Sequence, residues 1–316
     1  MNFEARRGVY PTMVTPYRQG QVDTDAVRAL VEWYWQQGCD GIFADCQSSE
    51  IQFLSLEERV ELLRVVMDEA GRLAARDGRP RMMIVASGHV ADDFAAQVRE
   101  LNAIAGQGPD ALILITNRMD IANTDDGQWI ADTKRLLAEL PPDLPLGMYE
   151  CPRPYKRLLS PRMLQWCAEN GRFHFIKDTC CDADRIRQRL ELCRGSRLRL
   201  FNANAQTLLQ SMKDGAHGYC GVMANFHPDL YLRLLAADPY SRRAALLQDF
   251  LGLAATIEPT TAYPCCAKYY LDRHAGVRME WTARSADSAA LTPYQRACVD
   301  QLAELTEEVR RLTRED

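Results

Sequence analysis

Only five of the 38 basic residues in this 316-residue chain are lysines: Lys134, Lys156, Lys177, Lys213 and Lys268. A neutral lysine amine condenses with a ketone to form an imine, whereas an arginine guanidinium stays charged. A nucleophilic amine therefore has few possible sites. Lys134 and Lys213 fall in stretches with helical periodicity, Lys156 in a polar loop and Lys268 in a C-terminal helical region. Lys177 alone ends a strand-like run, Phe173-His174-Phe175-Ile176-Lys177. Burying an ammonium is costly unless it is paired or gives up its proton. Two readings stay open: a reactive amine, or a strand-end lysine bridged to Asp178 or another carboxylate.

Other run ends carry groups that suit such an amine. Tyr149 closes the run 145–151, and a phenol can shuttle a proton; the alternative is a core tyrosine with a satisfied hydroxyl. Cys46-Gln47-Ser48-Ser49-Glu50 follows another run. Its hydroxyls and backbone N–H groups can hold a carboxylate, or simply cap a helix. Gly218, Gly221, Ala224 and Asn225 would let backbone approach a ligand closely, or serve packing. Cys220 between those glycines, Gln47 and Asn202 complete the candidate substrate contacts, with Asn204 beside them. The two asparagines fit loop formation equally well.

These residues need elements to position them. Eight short apolar runs start at residues 9, 41, 82, 111, 145, 173, 198 and 219, about one per 30 residues, the size of a βα unit. The gaps read as amphipathic helices: Val27, Leu30, Val31 and Tyr34 share one face, as do Leu56, Val60, Leu63 and Met67. Asp23, the pair Ser55/Glu58 and Ser160-Pro161 mark helix starts; Gly38, Gly71, Gly106, Gly171 and Gly195 mark ends. Near-continuous apolar runs suit parallel strands covered by helices. The fold class expected is α/β, a (β/α)8 TIM barrel with a C-terminal helical appendage. An open doubly wound sheet is second, since no G-x-G-x-x-G follows the first run. The division expected is 1–239 for the barrel and 240–316 for a helical region with helices near 243–257, 265–275 and 293–312.

Composition narrows the class further. A net charge of −5 disfavours a dedicated nucleic-acid binder. Arg185, Arg187, Arg189, Arg194, Arg197 and Arg199 read as a solvated face. No apolar run reaches membrane-spanning length, and no secretory signal opens the chain. Eleven cysteines without a C-x-x-C pair argue against a disulfide framework or zinc ribbon and for reduced thiols in a cytoplasmic enzyme. The doublets Cys180-Cys181 and Cys265-Cys266 are the candidates for redox activity.

Taken together, these segments resemble the dihydrodipicolinate synthase / N-acetylneuraminate lyase family of Schiff-base aldolases. The resemblance runs through Gly8-Val9-Tyr10-Pro11-Thr12, Val14-Thr15-Pro16, Ser48-Ser49-Glu50 with Leu54 and Glu57-Glu58-Arg59, Tyr149-x-x-Pro152, Ile176-Lys177-Asp178 and Gly218-x-x-Gly221-x-x-Ala224-Asn225-x-x-Pro228. It covers nearly the whole chain. It implies a pyruvate-type 2-keto acid held as an imine on Lys177, with Tyr149 as proton-transfer tyrosine. Ser48 and the backbone at Ser49 would bind the keto acid carboxylate, in place of the family's Gly-Thr-Thr-Gly-Glu loop. It further implies a homotetramer or homodimer and no metal or organic cofactor.

Three positions depart from the family pattern. Gln47 replaces a threonine whose hydroxyl links the tyrosine to a proton relay. Met119 stands where a neighbouring subunit's tyrosine is expected. Pro154 replaces an arginine that grips the aldehyde partner's carboxylate, with Arg153 and Lys156 nearby but out of register. These changes favour a pyruvate-dependent aldolase or lyase acting on a hydroxylated or acidic 2-keto acid over dihydrodipicolinate synthase itself. A catalytically weak keto-acid-binding barrel is the rival from another class.

Overall fold

The structure is a computed structural model that describes residues 5–314. Eight strands form one parallel sheet: β1 (Gly8–Val9), β2 (Gly41–Ala44), β3 (Met83–Ala86), β4 (Ala111–Ile115), β5 (Leu146–Tyr149), β6 (Phe173–Asp178), β7 (Arg199–Asn202) and β8 (Gly218–Tyr219). Neighbours in the sheet follow chain order, and β8 pairs with β1. The last seam is closed by a bridge between Thr12 and Phe43, where Phe43 N donates to Pro11 O at 2.9 Å. This is the expected (β/α)8 barrel.

The helices alternate with the strands: α1 (Thr24–Gln36), α2 (Leu56–Asp77), α3 (Phe94–Ala105), α4 (Asp126–Ala138), α5 (Pro161–Asn170), α6 (Ala183–Cys193), α7 (Leu208–Lys213) and α8 (Pro228–Ala236). Asp23, Ser55 with Glu58, and Ser160 cap α1, α2 and α5 as their sequence suggests. Two expectations need correction. Gly71 lies inside α2, which instead ends on left-handed Gly78. The stripe of α2 is centred on Leu62, Val66, Ala70 and Leu73; of the expected face Leu63 is buried, and Val60 and Met67 pack half-buried against the same core. Gly106 closes α3 with an ordinary right-handed conformation.

Strand side chains alternate between two cores. Phe43, Val85, Ile113, Tyr149, Phe175 and Phe201 fill the barrel interior. Ile42, Ile84, Leu112, Met148 and Ile176 face the helices. Phe175 and Phe201 stack at 4.3 Å, with Tyr10 edge-on to Phe201 at 4.8 Å. At the β1–β8 seam a Cβ on Gly218 would lie 1.9 Å from Gly8 O, so this glycine serves barrel packing. Beyond the barrel come α9 (Arg242–Ala254), α10 (Ile257–Thr260), α11 (Cys265–Arg273) and α12 (Pro293–Leu312). Leu247, Leu251, Leu271, Val299 and Leu302 join the same apolar cluster as the outer barrel core. Among the described residues no helix is long and apolar enough to cross a membrane. All eleven cysteines are free.

His89, just after β3, links the barrel to α3 and is fully buried. Its Nε2 accepts from Ile115 N at 2.6 Å, so the ring proton sits on Nδ1, which faces Gln97 Oε1 at 3.2 Å. Burial lowers its pKa from 6.5 to about 4. The folded state therefore binds this proton less readily than the unfolded state, and stability falls as pH drops through that window. Buried Asp45, raised by burial, acts in the opposite sense. The test is thus a difference. Between pH 7 and pH 4 the wild type should lose about 3 kcal/mol more in urea unfolding than His89→Gln. Parallel pH profiles for the two proteins would contradict this.

Candidate active site

Lys177 and Tyr149 are partners in the β5–β6 ladder, directly opposite in register. Lys177 lies two residues beyond Phe175, so strand alternation turns it into the barrel at its open end. Its side chain is 4% exposed. The amine lies 4.4 Å from the centroid of the Tyr149 ring and 5.6 Å from that of Phe43. It makes no hydrogen bond or ion pair with another described residue. Asp178, the carboxylate expected to neutralise it, is engaged elsewhere: it accepts from Cys180 N at 2.8 Å and is bridged to Arg189. Burial pushes the Tyr149 phenol well above its ordinary pKa, and the Cys151 and Cys46 thiols add to the shift. The phenol is thus a proton donor at neutral pH.

A buried ionic knot fixes the two strand ends. Arg189 of α6 binds Glu150 at 2.7 Å and also reaches Asp178, so one guanidinium joins the residues that follow Tyr149 and Lys177. Glu150 further accepts from Leu159 N at 2.8 Å and Thr179 N at 3.0 Å. Burial raises the Glu150 pKa, and the Arg189 charge opposes that rise. Arg189 is therefore an internal strut and not part of a basic face. Its sequence signal was available: it follows Ile186 by three residues and precedes Cys193 by four, on the apolar stripe of α6.

The loop after β2 forms the opposite wall. Residues Gln47–Ser49 make a short 3-10 turn that ends on Glu50 in the left-handed region, φ 64°. A non-glycine residue there carries strain of about 1–2 kcal/mol, which its surroundings must offset. Glu50 is buried and accepts from Lys268 Nζ at 3.1 Å, Arg284 N at 2.6 Å and Ser285 N at 2.7 Å. Lys268, from α11, is also fully buried, donating to Thr282 O at 2.6 Å and lying over the Tyr17 ring at 4.4 Å. The C-terminal helices thus clamp the loop that carries Ser48. Placing Lys268 in the appendage gave no hint of this contact. The hint was a cation inside the apolar segment Cys265-Cys266-Ala267-x-Tyr269-Tyr270-Leu271.

These walls enclose an open cleft of roughly 290 Å³. Gln47, Ser48, Tyr149 and Lys177 line it, and so do Arg153, Lys156, Asn204 and Gly221. None of its lining residues is Asp or Glu, while Arg153 and Lys156 stand beside Lys177. Ser48 Oγ donates to Thr12 Oγ1 at 3.1 Å. Other sequence-expected residues sit outside the lining. Ser49 is fully buried, its N–H bonded to Cys46 O at 3.0 Å and its hydroxyl to Met13 O at 2.7 Å. Asn202 turns to Thr207 and Ser211, each at 3.0 Å, and shapes the start of α7. Cys220 is buried in the barrel interior. Asn225 pins β8 to β1 through Thr12 O at 2.9 Å. Met119 is buried in the helix-side core. Cys181 lines the cleft, whereas Cys265 and Cys266 are buried in α11.

The sequence model of the Dihydrodipicolinate synthetase family matches residues 5–75, the segment carrying β1, β2 and the Ser48–Glu50 loop. A 4-hydroxy-tetrahydrodipicolinate synthase from Chelativorans sp. (strain BNC1) is 28% identical over 279 residues, 84% of this chain and 88% of that one. The chain is thus similar to this family along its first 75 residues and, at 28% identity, to a synthase over most of its length. Solved structures share this fold. A sialic acid aldolase of Ruminococcus gnavus superposes with a TM-score of 0.83 at 17% identity, covering 98% of this chain and 99% of that one. A prophage protein of the dihydrodipicolinic acid synthase family from E. coli K12, solved in complex with pyruvate, gives 0.80 at 19% identity over 96% and 98% of the two chains.

Proposed function

We propose that the protein is a carbon–carbon lyase, a class I aldolase that holds a pyruvate-type 2-keto acid as an imine on Lys177. The observation that carries this reading is the buried, unpaired Lys177 amine at a strand end, facing both Tyr149 and an open cleft. The neutral amine attacks the keto carbonyl. Tyr149 gives a proton to the departing hydroxyl of the carbinolamine, and water leaves. The Tyr149 phenolate then takes the proton of the C4 hydroxyl, the C3–C4 bond breaks to release an aldehyde, and its electron pair passes to the imine nitrogen to leave an enamine. Tyr149 returns the proton to C3, and hydrolysis of the resulting imine frees the amine and pyruvate. The Ser48 hydroxyl, at the cleft wall, turns from Thr12 Oγ1 to donate to the keto acid carboxylate.

The cations on the rim bear on the substrate. Arg153 makes no ion pair with a described residue, and Lys156 donates only to Thr179 O at 2.9 Å. With no carboxylate in the wall, the cleft favours an aldol that carries a second anionic group. A panel of 4-hydroxy-2-oxoglutarate, 2-keto-3-deoxy sugar acids and N-acetylneuraminate, assayed for pyruvate release, tests both statements. Release is expected, with the dicarboxylate preferred. For that substrate the double variant Arg153→Ala/Lys156→Ala should raise KM about ten-fold, the equivalent of ~1.4 kcal/mol. Imine formation without release from any aldol would instead favour a keto-acid-binding barrel.

A further inference from the structure

Tyr149 needs a partner that holds its hydroxyl and answers the charge left when it gives up a proton. Gln47 stands at the position where the family pattern has a threonine hydroxyl, and an amide carbonyl has no proton to offer. The chain supplies a different group, two residues after the tyrosine. The backbone turns sharply there, with Cys151 N donating to Tyr149 O at 2.9 Å. That turn folds the Cys151 thiol back beside the phenol, where the sulfur favours the protonated phenol as its donor. The same sulfur donates to Gln47 Oε1 at 3.4 Å. Cys151 is fully buried, and its segment is pinned by Asn117 Nδ2, which donates to the carbonyls of Cys151 at 3.0 Å and Arg153 at 2.9 Å.

We propose that Cys151 is the positioning residue for Tyr149: its sulfur accepts from the phenol while its one S–H is held by Gln47, and when the phenolate forms during proton transfer that S–H swings from Gln47 to it. This rests on the imine reading of Lys177. Burial raises the Cys151 pKa, so the thiol keeps its proton and acts as a donor. The proton that moves leaves Tyr149 for the substrate and returns from the substrate in the reverse step. Sulfur forms no covalent bond and is neither oxidised nor reduced. The chain ends at the Gln47 carbonyl, which accepts a hydrogen bond but passes no proton on. The Tyr149 proton therefore comes and goes through the cleft.

Pyruvate alone tests this, because imine and enamine interconversion exchanges its methyl protons. In D2O, Cys151→Ala should slow methyl exchange about ten-fold, the scale of one lost hydrogen bond to a charged group. The pH profile of exchange should shift in this variant, while borohydride trapping of pyruvate, run to completion, still labels Lys177. Cys151→Ser keeps a donor and acceptor and should return exchange to within about three-fold, with the wild-type pH profile. Wild-type exchange and pH profile in Cys151→Ala would overturn the proposal, and so would equal slowing in both variants, which marks a packing effect. Failure of the wild type to trap pyruvate would instead overturn the imine reading, and this proposal with it.

Discussion

Replacing Lys177 with alanine should lower pyruvate release by at least about 10⁴-fold, because the reaction loses its covalent path. No other lysine can take over. Lys134 and Lys213 are exposed on α4 and α7, Lys268 is committed to Glu50, and Lys156 lies at the rim, bonded to Thr179 O. The fold should survive the change, since the Lys177 amine supports no ion pair among the described residues. A thermal melt within a few degrees of the wild type, alongside lost activity, would separate chemistry from stability. Residual turnover above about 1% of wild type would remove the imine from the mechanism.

The second large effect is on stability and lies far from Lys177 in sequence. Lys268→Met leaves Glu50 buried without its cation, and breaking a buried pair from one side costs about 3–5 kcal/mol. Two backbone donors, Arg284 N and Ser285 N, remain on Glu50, so the lower end is expected. Burial lowers the Lys268 pKa and Glu50 opposes that shift, so the lysine depends on this one carboxylate. The double change Lys268→Met/Glu50→Gln removes both charges and should recover part of the loss. Urea unfolding measures both variants. A Lys268→Met cost below about 1 kcal/mol would show that the clamp contributes little. The same variant should weaken pyruvate binding, because Glu50 ends the turn that presents Ser48.

The barrel was legible because apolar runs repeat at the spacing of βα units and because caps such as Asp23 and Ser55 act locally. The ends of the sheet were less so. Of the run from residue 9 to 16 only Val9 lies in a strand and Thr12 in an isolated bridge, since Pro11 and Pro16 have no N–H to donate. The run from 219 to 225 becomes a 3-10 turn after Tyr219, and its apolar character reflects a buried loop. Lys177 and Tyr149 were legible together because neighbouring strands bring their ends to one place. Arg189, Lys268 and Cys151 act through partners 39, 218 and 104 residues away, and only the folded chain joins them. Asn202 and Ser49 carry the right polar atoms, but local hydrogen bonds already use them.

The central claim is covalent and can be tested without knowing the aldol. The protein is incubated with pyruvate, reduced with borohydride, digested and mapped by mass spectrometry. A reduced pyruvyl adduct is expected on Lys177 and on none of the other four lysines. An unmodified Lys177, or an adduct confined to Lys156 at the rim, would contradict it.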